Sequence, residues 1–551
     1  MRSYSASLPN GRQARSKERS FYSQMSPKIV NSVVVLTVAG LSLAIVANSV
    51  TKPVGRDEQM YCTGAVLLGQ GKMIYRDFSY PAQLPYHPLL YAGLFRMLNT
   101  THYLLVGRIV SSVCDILVLV CIIGIYRCIL GSFRLSGTLF GLAGAALYVF
   151  NPLVDYANGF AWNHDVVILC VVLSLWLLLS TDFKHKSRYW RIAAIGALLT
   201  GATFMRITTA LVELLFLIIL LVQPAESLKQ RAKVILPFLI SSAVVLIWPV
   251  WVVAQAPRAF YLNVFWIPAL YGEWLREIGM VHSKFELTLS SIRIPGYFVL
   301  IVIAIYLCLA TVCLRSKLKI SNVRNLLLAA LLPVAFFVIA LIPPTMWRQY
   351  LAMPVPFLII SFAYPLRYLR TLGSNDGSSI HFKISCALVA LGTVVAVVSY
   401  PFVLYRIPVL LGPESWVPIR LHSISETIGR KTHEPGLALT LAPLFALEGG
   451  SDIYTELSAG PIVYRIADSL SPSDRQITHT AGPKTLPLLL EKAPPSAVIL
   501  GVEPSYEEPI SKSVEPDSKD WEKQVYDLVP ALSLLPIRYQ LGQQLLVLYR
   551  R

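Results

Sequence analysis

Apolar runs long enough to cross a bilayer recur along this chain, and no other feature restricts its fold as severely. A spanning helix needs about twenty mostly apolar residues. Stretches near that length occur at 29–50, 104–126, 135–152, 164–180, 190–205, 207–222, 234–254, 295–314, 325–343, 350–365 and 384–404. The fifth and sixth form one apolar stretch broken only around Met205-Arg206-Ile207. Inside a bilayer every backbone amide must be bonded within the protein, so such segments become helices. The composition agrees, since 55% of the 551 residues are hydrophobic and only 14% are charged. A formal charge of +17 does not point to nucleic acid, because the basic residues stand in short clusters between apolar runs. The tail before Ile29 is too long and too basic for a cleaved signal peptide, so Ile29 to Val50 reads as a retained anchor.

Charge alternation tests the count. The tail, residues 1–28, holds Arg2, Arg12, Arg15, Lys17, Arg19 and Lys28 and is expected in the cytoplasm. Alternation then places inside the loops with Arg127 and Arg134; Lys184, Lys186, Arg188 and Arg191; Lys229, Arg231 and Lys233; Arg315, Lys317, Lys319 and Arg324; and Arg367, Arg370 and Lys383. The intervening outer loops carry Asp57, Glu58, Asp155, Asn163, Glu273 and Glu277. The expected architecture is an all-α polytopic domain of about eleven spans, residues 29–404, with residues 405–551 outside. In that last part, Gly436–Leu441, Pro495–Leu500 and Gln543–Arg550 read as strands and Lys484–Lys492 as a short helix, which predicts a small α/β domain. Cys114, Cys121 and Cys128 recur every seven residues and read as small packing residues, and the cysteines form no disulfide framework.

The outer loop 51–103 is too polar to span. It opens with Asp57-Glu58 a few residues after the first membrane exit. Tyr61, Ala65 and Leu68 then suggest an amphipathic helix along the interface, ended by Gly69 and Gly71. Lys72, Tyr75-Arg76-Asp77 and a Pro-rich turn with Tyr86, His87 and Pro88-Leu89 follow.

This arrangement resembles the C-type membrane glycosyltransferase superfamily, in particular protein O-mannosyltransferases and bacterial aminoarabinose and lipopolysaccharide sugar transferases. The shared pieces are Asp57-Glu58, the Gly-rich turn Leu68 to Gly71, Tyr75-Arg76-Asp77 and Pro88-Leu89. The resemblance implies a polyprenyl-phosphate sugar donor and an acceptor that is a glycolipid, a polysaccharide or a protein. It also implies transfer with inversion at the outer face of a plasma membrane, the inner membrane in a bacterium. The leaving phosphate is already a stable anion, so one carboxylate serves as general base where a glycosidase needs two. Asp57 is the implied base, assisted by Glu58. The bland reading is that both acids mark the membrane exit or pair with Arg56.

The leaving phosphate also calls for cations at headgroup level. Arg206 sits in an apolar stretch and needs an anionic partner, either a prenyl phosphate or a carboxylate such as Glu213 or Asp165. Arg348, in the short turn Trp347-Arg348-Gln349-Tyr350, is a second phosphate candidate, and Lys72 and Arg76 are weaker ones. Asp77, Tyr86 and His87 are substrate-binding candidates. Arg108 and Asp115 satisfy one another or a neighbour. Asp155 and Asn163-His164-Asp165 are compatible with a divalent metal, but Asn163 and Asp165 fit better as caps of the fourth helix. No cofactor is implied firmly. The aromatic run Phe260–Trp266 is expected to hug the membrane, and by the resemblance to cover the donor. A transporter or flippase of a lipid-linked glycan is the rival class, but its polar groups would gather near the midplane. A glycan ligase is the rival within enzymes.

Overall fold

A computed structural model describes residues 27–131, 133–183, 185–223, 227–314, 323–343, 345–372, 379–433, 436–528 and 544–551. The basic tail before Pro27, Lys184, and Arg315, Lys317 and Lys319 lie outside the described residues.

Each apolar run is helical. The bundle consists of α1 (Pro27–Thr51), α4 (Tyr103–Ile129), α5 (Arg134–Val149), α6 (His164–Leu179), α7 (Arg188–Thr203), α8 (Ala210–Leu221), α9 (Leu228–Gln255), α10 (Pro295–Cys313), α11 (Val323–Leu341), α12 (Pro354–Ser361), α13 (Ala363–Leu372) and α14 (Ser379–Ser399). Between α1 and α4 stand α2 (Arg56–Gly69) and α3 (Tyr86–Leu98). Among the described residues seven segments are long and apolar enough to span alone, α12 and α13 counting as one. The chain is a multi-pass membrane protein. The others, α5 to α8, have 12 to 16 residues. The expected break at Arg206 is real: α7 ends at Thr203, and a 3₁₀ turn, Ile207–Thr209, leads into α8.

The C-terminal part holds a five-stranded sheet in the order β2-β1-β3-β5-β4. Strands β1 (Leu437–Thr440), β3 (Ala497–Leu500) and β5 (Gln544–Arg550) occupy the expected runs; β2 (Asp452–Ile453) and β4 (Trp521–Asp527) were not anticipated. β1 pairs in parallel with β2 and β3, and β5 pairs antiparallel with β3 and β4. Strand β3 is buried along its length, whereas the edge strand β4 is half to fully exposed, which explains its weak apolar signal.

The expected helix forms as α2, but both its faces are covered where the sequence marked one. Every residue from Glu58 to Leu67 is buried. One apolar core joins Tyr61, Tyr80 and Tyr91 of the first interhelical segment to Leu421, Phe445, Ile499 and Val547 of the C-terminal part. The second apolar face that this burial requires is supplied by the C-terminal fold. Gly69 closes α2 and Gly71 takes φ +90°, as expected for the turn.

Candidate active site

Asp57 and Glu58 occupy the first turn of α2, where the helix dipole favours acids. Adjacent in sequence, they face different surroundings. Glu58 is completely buried and pairs with the equally buried Arg108 of α4 at 2.6 Å. It also accepts from the backbone amides of Gly55 (2.6 Å) and Ala161 (3.0 Å). All five guanidinium N–H groups of Arg108 find acceptors: both Glu58 oxygens and the carbonyls of Ser49, Lys52 and Pro53. Glu58 therefore knots the end of α1, the start of α2, α4 and the 158–162 loop, and fixes Asp57 in space. Arg108 and Asp115 do not satisfy one another; Asp115 accepts from Tyr148 (2.9 Å) and Asn158 (2.7 Å).

Asp57 is half-buried, and its carboxyl group makes no hydrogen bond or ion pair among the described residues. Burial pushes its pKa above the ordinary carboxylate value, against the pull of the nearby positive charges of Arg56 and Arg206. Its charge is felt in turn by Tyr61, one turn along α2, and by Tyr271. A carboxylate so placed is a stronger base than an exposed one.

Arg206 reaches the same place from the α7–α8 break. Neither anticipated carboxylate pairs with it: Glu213 accepts from the hydroxyls of Thr200 and Thr203, and Asp165 from the Gly159 amide. The guanidinium lies 5.0 Å over the ring of Tyr350. Tyr350 belongs to the 3₁₀ turn Arg348–Leu351, so two segments singled out in the sequence meet. Arg348 itself is exposed on that turn.

None of the remaining candidates bonds to Asp57 among the described residues. Lys72 donates to Thr455 of the C-terminal part (3.2 Å). Arg76 and Asp77 pair with each other (2.7 Å), and Asp77 also holds the Met73 amide. The Tyr86 hydroxyl bonds to the Val245 carbonyl. His87 is fully buried between Tyr61 and Tyr91, with ring centroids 4.6 and 4.2 Å away. Burial drags its pKa down to about 3, so it stands neutral. In the Phe260–Trp266 run, Asn263 is buried and grips Ser79 and the Tyr80 amide (2.7 and 2.9 Å), while Tyr261, Phe265 and Trp266 remain exposed.

Sequence reasoning missed the C-terminal contribution. Glu503, just past β3, bonds Arg56, the residue before Asp57, and also Arg465 (3.1 Å). Arg465 stacks 3.6 Å over Tyr506 and lies 5.5 Å from the Trp274 ring. Gln59 accepts from the Leu444 amide (3.2 Å), and Glu448 from the Leu104 amide (2.7 Å). No local pattern marks Glu503, because its partners are distant in sequence.

No protein-family model and no curated sequence matches this chain. Among solved structures it is similar to ArnT from Cupriavidus metallidurans bound to undecaprenyl phosphate. That match has a TM-score of 0.58 and 14% identity, and covers 94% of this chain and 98% of the other. The chain has the C-type glycosyltransferase fold. The Archaeoglobus fulgidus oligosaccharyltransferase in its apo form aligns with a TM-score of 0.50 at 11% identity, over 86% of this chain and 70% of that one. The same enzyme solved with Zn and sulfate aligns equally well, over 89% and 72%. In the C-type glycosyltransferase fold of this chain, no three His, Cys, Asp or Glu side chains gather to hold a metal among the described residues. Asp155, one of the metal candidates, accepts from Tyr400 and pairs with Arg406, both at 2.7 Å.

Proposed function

We propose that this protein is an integral-membrane glycosyltransferase that moves a sugar from a polyprenyl-phosphate donor to an acceptor at the extracytoplasmic face, with inversion. The observation that carries the proposal is the half-buried Asp57 carboxylate, its pKa raised by burial, beside Arg206, a cation without a carboxylate partner among the described residues. The fold shared with ArnT, solved with undecaprenyl phosphate, supports this donor class. Asp57 takes the proton from an acceptor hydroxyl or amine as its oxygen or nitrogen bonds to the anomeric carbon. The bond from that carbon to the phosphate oxygen breaks, and the polyprenyl phosphate leaves as an anion stabilised by Arg206. Arg348, exposed at the same turn as Tyr350, is the second cation available at headgroup level.

In this reading Glu58 orients Asp57 through the Arg108 knot rather than exchanging protons. Residues 29–404 form the transferase domain in the plasma membrane, and 405–551 an extracytoplasmic domain that closes over the loop 51–103. The acceptor is a glycolipid, a polysaccharide or a protein. The test is mass spectrometry of envelope glycolipids and glycoproteins from cells carrying wild-type protein, Asp57→Asn or none. The wild type should add one sugar mass that Asp57→Asn lacks at equal expression. An unchanged glycan profile in all three cells would refute the proposal.

A further inference from the structure

Several buried polar atoms without partners flank Arg206. Helix α6, sixteen residues long, begins at His164 with an uncapped N-terminus. The side chain of Asn163, expected as its cap, turns instead to Gln83 (3.1 Å) and to the carbonyl of Met205 (2.9 Å), the residue before Arg206. That bond ties the start of α6 to the α7–α8 break. His164 is 2% exposed, and its Nε2 has no hydrogen-bond partner among the described residues. The same holds for Trp162 Nε1 and for the hydroxyls of Thr208 and Thr209, two and three residues past Arg206. The Trp162 and His164 rings lie 6.1 Å apart, and His164 and Asp57 both feel the charge of Arg206.

A buried donor without an acceptor costs about 1–3 kcal/mol, and folded proteins retain few of them. Here several stand together at a helix N-terminus, where backbone N–H groups and the dipole favour an anion. The neighbouring Asp165 carboxylate accepts from the Gly159 amide through Oδ2 (2.9 Å), and its Oδ1 has no partner among the described residues. We propose that His164 Nε2–H and Trp162 Nε1–H, with the first amides of α6, bind the phosphate of the polyprenyl carrier alongside Arg206. The inference rests on the donor class proposed above. It adds neutral donors that hold the phosphate oxygens, leaving the guanidinium as the charge that offsets the leaving group.

The test is binding of undecaprenyl phosphate and of undecaprenol to the full chain in lipid nanodiscs, with inorganic phosphate as competitor. A hydrogen bond to a charged group corresponds to a factor of about ten or more in affinity. His164→Phe should lose that factor for undecaprenyl phosphate and none for undecaprenol, while His164→Gln, which keeps an N–H, should recover most of it. Trp162→Phe, closer in shape to the native residue, should weaken the phosphate lipid several-fold and decides the matter if His164→Phe does not fold. Competition by inorganic phosphate in the wild type and its weakening in Trp162→Phe would locate the effect at the headgroup. Wild-type protein that does not bind undecaprenyl phosphate would overturn the donor class and this inference together. Tight wild-type binding that both variants retain, or equal losses for undecaprenol, would overturn this inference alone.

Discussion

Replacing Arg108 with methionine perturbs the knot that places Asp57. Both members of the Arg108–Glu58 pair are fully buried. The substitution leaves Glu58 with two donors, the amides of Gly55 and Ala161, and strips a donor from the carbonyls of Ser49, Lys52 and Pro53. Removing one partner of a buried pair costs about 3–5 kcal/mol. The two surviving amide bonds place this variant at the lower end, about 3 kcal/mol, or a factor of about a hundred in the unfolding equilibrium. Glu58→Met should cost a similar amount, because it leaves the guanidinium unpaired. The double variant Glu58→Met/Arg108→Met removes both charges, so its loss should fall short of the sum of the singles by more than about 1 kcal/mol. Reversible unfolding in mixed detergent micelles, followed by tryptophan fluorescence, gives all three values. An Arg108→Met loss under about 0.5 kcal/mol, or additive single losses, would refute the view that this pair holds the site together.

The two remaining predictions concern the base and its C-terminal anchor. In the proposed reaction Asp57 must be ionised, and burial raises its pKa; the acid limb of kcat/KM should therefore lie above the ordinary aspartate value of about 3.9. Arg206 opposes that rise, so Arg206→Gln should move the limb to still higher pH, and a downward move in the pH profile would contradict the assignment. Glu503→Ala leaves Arg465, 3% exposed, without its carboxylate and releases Arg56. It should lower stability by about 3 kcal/mol or more and speed hydrogen exchange at the start of α2, whereas unchanged exchange there would show that the contact holds nothing in place.

The bundle was legible because membrane burial leaves a long-range record in sequence: apolar runs of fixed length, each obliged to bond its own backbone. The break at Arg206 was legible for the same reason, as a cation where the apolar run required none. β3 and β5 could be read as short apolar runs. β4 could not, because its edge position keeps apolar side chains from dominating. The burial of both faces of α2 could not be read, since Tyr61, Ala65 and Leu68 record one apolar face and give no sign of the C-terminal core that covers the other.

The sequence by itself determined that this chain is a helical membrane bundle with a smaller α/β part at its C-terminal end, and it marked Asp57, Glu58 and Arg206 as candidates. Only the tertiary structure divided the acid pair. Glu58 is drawn into a closed set of bonds with Arg108, and Asp57 is left half-buried with its oxygens unengaged among the described residues. Two adjacent carboxylates carry the same local signal. Their difference is made by Arg108, Ala161, Arg206 and Glu503, which lie from about fifty to more than four hundred residues along the chain and meet them only when it folds.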